Sequence, residues 1–130
     1  MTGVLFNTQK AVYALLDAAA VASGGVHDDV SDGYDTFPYV EIGETLAEPD
    51  DGSLTDGTAE FLTLHVWSRA QGFAETKQIM EAIHTVLHGK KLTVAGRASA
   101  LCWVDQVSTL RDPDGKTRHG VVRLRIVSRT

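Results

Sequence analysis

Apolar residues alternate with period two from Phe61 to Trp67: Leu62, Leu64 and Val66 on one face, Phe61, Thr63, His65 and Trp67 on the other. That period is a strand with apolar or aromatic residues on both sides, so both sides are covered by something. After Ser68-Arg69 the period changes: Ile79, Met80, Ile83, Val86 and Leu87 recur at helical spacing, between Gly72 and Gly89. The pattern predicts a helix whose one apolar stripe meets a core, with glycine at the stop where a left-handed cap is tolerated. Upstream, Leu5, Val12, Leu15, Leu16 and Ala19 space as a helix face over about residues 3–22, with Thr2 as candidate N-cap and Gly24-Gly25 as terminator. Residues 26–36 show no period and read as loop. Phe37-Pro38 opens a strand from Tyr39 to Thr45, in which Val40 and Ile42 alternate with Tyr39 and Glu41.

Residues 46–58 combine proline, glycines and acids, which predicts a long, mobile acidic loop that orders on assembly. Residues 92–94 read as a short strand or linker. A long strand over residues 98–110, the turn Arg111-Asp112-Pro113-Asp114-Gly115-Lys116, and a strand over residues 117–127 read as a β-hairpin. In its second strand Val122, Leu124 and Ile126 share a face, and Val121, Arg123, Arg125 and Val127 share the other. Helix, strand, strand, helix, strand, strand is a segregated order. It predicts a single α+β domain over residues 1–130: a mostly antiparallel four-stranded sheet with two helices packed on one face. The second face, with Phe61 or Trp67 and the arginines, suits an interaction surface.

Composition narrows the classes. With 130 residues, 43% hydrophobic and 22% charged, the chain supports one real core. No apolar run approaches the roughly 20 residues of a bilayer span, and MTGVLFNTQK does not read as a signal peptide. The lone cysteine, Cys102, lies in an apolar strand pattern and suits a reducing compartment. Net charge is −5, a poor basis for non-specific nucleic-acid binding. That figure hides a split: residues 1–60 carry 12 acidic side chains and one lysine, whereas residues 61–130 carry 5 acidic and 11 basic ones. The halves can pair within the fold or between copies.

Candidate chemistry is sparse. His84 and His88 are four apart on one helix, a spacing able to clamp zinc, with His65 and His119 as further donors. The run HTVLH lacks the glutamate of a zinc-protease helix and no cysteine pair accompanies it, so no metal or other cofactor is expected. Asp28, Asp29, Asp32 and Asp35 fall in a loop, where solvated carboxylates are the norm, and no nucleophile–base signature is present. Arg123, Arg125 and Arg129 form a basic row at strand spacing, open to three readings: a phosphate site, ion pairs to a neighbouring subunit, or a solvated face. Trp67 is either a core residue or an interface anchor.

Several local patterns then coincide in order: Gln9-Lys10-Ala11-Val12-Tyr13, Phe37-Pro38-Tyr39-Val40, Leu64-His65-Val66-Trp67-Ser68-Arg69, Leu87-His88, Asp114-Gly115 and Arg118-His119-Gly120. Together, from about Leu5 to Val127, they resemble the tail-completion proteins, or tail terminators, of long-tailed phages, prophages and gene transfer agents. The resemblance implies a non-enzymatic structural protein of the virion tail, assembled in the bacterial host cytoplasm. It implies a ring, usually a hexamer with the free protein able to be monomeric, at the head-proximal end of the tail tube. Its partners are then other copies of itself, the major tail tube protein and a head connector or stopper protein, with DNA only as passing cargo and no membrane. Arg123, Arg125, Arg129, Asp50, Asp51, Asp56 and Trp67 are the candidate subunit or tube contacts. A connector or stopper, a small ligand-binding or enzymatic α+β domain, and a nucleic-acid module are the rival readings.

Overall fold

The computed structural model describes all 130 residues. Helix α1 spans Val4–Ala19, followed by strands β1 (Val26–His27), β2 (Tyr39–Pro49) and β3 (Gly57–Ser68). Helix α2 (Ala74–Leu87) leads to β4 (Lys90–Lys91), β5 (Ser99–Arg111) and β6 (Arg118–Arg129). The strands form one six-stranded sheet in the order β1-β2-β3-β6-β5-β4, with β1 parallel to β2 and every other pair antiparallel.

The α+β class therefore stands, but the four-stranded, mostly antiparallel sheet is corrected to a six-stranded mixed one. The two strands missed, β1 and β4, are two residues each. Such strands are too short to carry a period. β1 precedes an aspartate-rich segment, and Lys90-Lys91 read as the cationic end of a helix. Helix α1 also stops earlier than Gly24: Ala20 takes a left-handed conformation (φ 51°) and its N–H bonds the Asp17 carbonyl. Gly3, not Thr2, occupies the N-cap.

Both helices cover the same side of the sheet. Val12 and Leu16 of α1 and Ile79, Ile83 and Leu87 of α2 join one core with Leu62, Leu64, Val66, Val122, Leu124 and Ile126. The alternation places these strand residues inward, and hydrophobic burial on this face is the main stabilising term. Cys102 is fully buried in it, and burial pushes its thiol up to about 12. At Gly120 an added Cβ would meet Met80 Sδ and Thr76 Cγ2 at 2.8 Å, so glycine lets α2 lie directly on β6.

The 46–58 connection is shorter than its composition suggests. Strand β2 runs on to Pro49 and β3 begins at Gly57, which leaves residues 50–56 as the hairpin loop. Proline is tolerated there because β2 has no outer neighbour at that end. The loop's base is bonded: Asp50 N–H to Gly57 O at 2.9 Å, Gly57 N–H to Asp51 Oδ1 at 2.9 Å, and Thr130 N–H to Asp56 O at 2.9 Å.

One charged group lies inside. Glu60 is 2% exposed and accepts a hydrogen bond from Thr8 Oγ1 at 2.7 Å. Burial raises its carboxyl above the ordinary range, with the Thr8 bond and the Arg97 charge opposing. A raised carboxyl favours the fold most below the ordinary carboxylate range, and that stability is lost as pH rises through its folded pKa. Glu60→Gln retains an acceptor for Thr8 and carries no charge. It is expected to flatten the decline in stability from pH 4 toward neutrality, as read by urea midpoints across that range. An unchanged pH profile would contradict this.

Candidate functional site

The face of the sheet turned away from the helices has no covering layer. It is built from the odd-numbered residues of β3 and β6 and their neighbours in register. Phe61, Arg125 and Trp103 lie side by side across three strands; Thr63, Arg123 and Gln106 form the next row, and Trp67, His119 and Leu110 another. The face mixes aromatic, cationic and aliphatic groups, most of them half-buried. Bulges between Ile42 and Thr45 in β2 and between Val104 and Gln106 in β5 interrupt its register. They place Glu44 and Asp105 among its charged groups.

Both arginines predicted to share a strand face do so, and each sits on an aromatic ring. The Arg123 guanidinium lies 4.5 Å from the Phe61 centroid and its Nε 3.6 Å from Asp105 Oδ2. The Arg125 guanidinium lies 4.7 Å from the Trp103 centroid, and Arg125 is exposed. Stacking of this kind holds a guanidinium flat while leaving its edge free to bind a carboxylate. Arg129, the third of the row, is turned to the β2–β3 loop, where its Nη2 donates to Asp50 Oδ2 at 2.7 Å and its Nη1 to Asp50 O at 2.8 Å.

The acids expected alongside them have partners within the chain. Asp50 holds Arg129, Asp51 caps Gly57, and Asp56 lies 3.5 Å from both the N-terminal amine and Arg97 Nη1. Trp67 is half-buried on this face. It stacks on His119 with centroids 4.0 Å apart and 10° between planes, and its Nε1–H donates to Glu41 Oε1 at 3.3 Å.

His119 belongs to a polar chain that periodicity did not show. His65 Nδ1 and His119 Nε2 are 2.7 Å apart, and His65 Nε2 is 2.7 Å from Glu44 Oε1. With His65 Nε2–H donating to the carboxylate, its Nδ1 accepts from His119 Nε2–H. Burial, followed by the nearby His65 charge, holds the His119 imidazole below its ordinary pKa. Gly43 makes this packing feasible, since a Cβ there would meet the His65 ring at 2.7 Å. The only sequence signal was that His65 and Trp67 share a strand face.

The other candidates stay apart. His84 and His88 stack on each other at 4.3 Å, and His88 Nδ1 accepts the Val104 N–H at 3.0 Å. His84 lines a groove on the helix side of β5, whereas His65 lies on the open face. Asp28, Asp29, Asp32 and Asp35 are exposed at the β1 edge. The segment leading from β1 into β2 is organised instead by aromatics: Tyr34 and Tyr39 meet edge to face at 4.9 Å, and Tyr34 O–H donates to Gly24 O at 3.2 Å.

What the molecule presents is therefore a two-layer scaffold with one uncovered sheet face and no enclosed pocket on it. Residues 10–129 match the family described as tail completion protein gp17. The chain belongs to that family. Tail completion protein gp17 of Bacillus phage SPP1 is 28% identical over 91 residues, covering 70% of this chain and 67% of that protein. A chain of the virion of a native gene transfer agent particle has the same fold, with a TM-score of 0.88 at 23% identity and 100% coverage of both chains. A further solved chain shares the fold more loosely, with a TM-score of 0.59 at 11% identity, covering 97% of this chain and 95% of the other. As a member of the gp17 family the chain is a structural tail completion protein of the virion tail, as its ordered local motifs implied.

Proposed function

We propose that this gp17-family chain is the tail terminator of its particle. It forms a ring at the head-proximal end of the finished tube, stops further tube growth, and presents the surface on which the head docks. Its part is structural and non-enzymatic. The observation that carries the reading is the family match over residues 10–129, on a fold equivalent over its whole length to a chain of a gene transfer agent virion.

The uncovered face supplies the means. Arg123 and Arg125, flattened on Phe61 and Trp103, are preorganised donors for carboxylates of a neighbouring subunit or of the tube. At the other extreme of the hairpin loop, Leu54 is 98% exposed while the base of the loop is tied to Arg129 and Thr130. A rigidly based loop with an apolar tip suits insertion into a partner, with the tip ordering on contact. Leu54→Ser is expected to leave the melting temperature within about 2 °C, since surface changes cost within about 0.5 kcal/mol, and to weaken tube-end binding. Equal binding by both proteins would remove the tip from the interface.

The terminator reading itself is tested by adding purified protein to tail tubes that lack it and imaging them by negative-stain microscopy. A disc at one end only, with tube elongation halted, is the expected result. Binding along the tube wall, or to isolated heads but never to tubes, would overturn it.

A further inference from the structure

We infer that copies of this chain join head to tail through the two ends of the sheet, the aspartate-rich β1 end of one copy against the lysine-bearing β4–β5 end of the next. The inference rests on the ring reading above and names the surfaces such a ring would use. A cyclic ring is closed by a heterologous contact, so each subunit must carry two different patches that complement one another.

The sheet order puts β1 and β4 at opposite ends. At the first end Asp28, Asp29, Asp32 and Asp35 are all exposed, and none forms an ion pair within the chain. At the second, Lys90 and Lys91 are exposed and equally unpaired. The charges that do pair within the chain lie on the open face and the β2–β3 loop. The fold thus leaves unpaired aspartates at one end of the sheet and unpaired lysines at the other.

Apolar surface follows the same division. On α1, Phe6 is 63% and Tyr13 40% exposed, and Tyr13 shares a recess with Asp28. On the same side of the sheet Met80 and Val107, the latter 51% exposed, line an open groove together with Lys77 and Glu81, whose charges offset one another. The strand edges are also free there. β2 has no outer neighbour beyond Glu41, and β5 has none beyond Cys102. Such edges are normally covered or paired. Like charges oppose the two symmetric alternatives, acidic end to acidic end and basic end to basic end, which leaves the head-to-tail arrangement.

Two charge-reversed proteins test this: Lys90→Glu/Lys91→Glu and Asp28→Lys/Asp29→Lys, each assayed alone and mixed one to one on tail tubes lacking the native protein. All four positions are exposed, so both variants are expected to melt like the parent. Each alone is expected to lose end discs, and the mixture to regain them, because alternating copies restore every acidic–basic contact. Discs formed by either variant alone, or a mixture that stays inactive, would overturn the head-to-tail assignment while leaving the terminator reading intact. Failure of the parent protein to form discs would remove both. A second readout captures the contact covalently. Asp29→Cys/Lys91→Cys places thiols at the two ends of one sheet, and the native Cys102 is buried. Oxidation of end discs assembled on tail tubes is expected to give a ladder of disulfide-linked multimers. Monomer alone from such discs would contradict the contact.

Discussion

Replacing Arg97 with alanine is expected to cost about 3–5 kcal/mol at neutral pH, the range for removing one partner of a buried charge set. Its side chain is only 2% exposed, with Nη1 donating to Asp56 O at 2.7 Å and Nη2 to Thr58 Oγ1 at 2.8 Å. Its charge also favours the ionised form of Glu60, one turn of the strand pattern further in. Alanine removes the donor to the buried Thr58 hydroxyl and leaves Glu60 without its cation. The cost should shrink in acid, where Glu60 takes up a proton, and in the Glu60→Gln background, where there is no charge to compensate. Urea denaturation of the two single variants and the double variant measures this coupling directly. A loss below about 1 kcal/mol, the ordinary worth of an exposed pair, would show that Arg97 does no more than a surface arginine.

The second large effect is on assembly. Arg123→Glu/Arg125→Glu reverses both donors of the uncovered face and is expected to weaken tube-end association by at least about tenfold, or roughly 1.4 kcal/mol. Stability also falls, which strand alternation alone did not foretell. Each arginine loses an aromatic stack worth about 0.5–1 kcal/mol at an exposed site. The Arg123–Asp105 pair, with side chains 41% and 40% exposed, adds about 0–1 kcal/mol at most. The summed loss is smaller than the roughly 5–15 kcal/mol of a typical domain, so the variant remains folded and its binding defect can be read. Arg123→Gln/Arg125→Gln separates charge from contact: it should melt similarly to the Glu variant but bind better. Full binding by the Glu variant would identify a merely solvated face, and a drop in melting with no binding defect would identify an intrachain role.

Long elements with a clean period were legible in the sequence. The β3–α2 unit, the β5–β6 hairpin and the inward set Val122, Leu124 and Ile126 all lie where alternation places them. Elements without a period were not. β1 and β4 are two residues long, and the last residues of β2 are disguised by Pro49 and by a bulge after Ile42. The intrachain charge partners were not legible for a different reason. Asp50 and Arg129 are 79 residues apart and Asp56 and Arg97 are 41 apart, and only the folded chain brings each pair together. The split between acidic and basic halves was real in composition, and Asp56–Arg97 and Asp50–Arg129 are the lysine- or arginine-to-carboxylate pairs that join the halves inside the chain. What is left over, at the two sheet ends, was visible only once the strand order was known. The His65–His119–Glu44 chain was hidden likewise, because it depends on a glycine at position 43 and on β6 lying beside β3.

The central claim is that this chain ends tube growth. Tail length distributions in particles produced with and without its gene test that claim most directly. With the gene, tubes of one length joined to heads are expected. Without it, tubes of variable and excess length that fail to join heads are expected. Tubes of normal, uniform length in its absence would contradict the account.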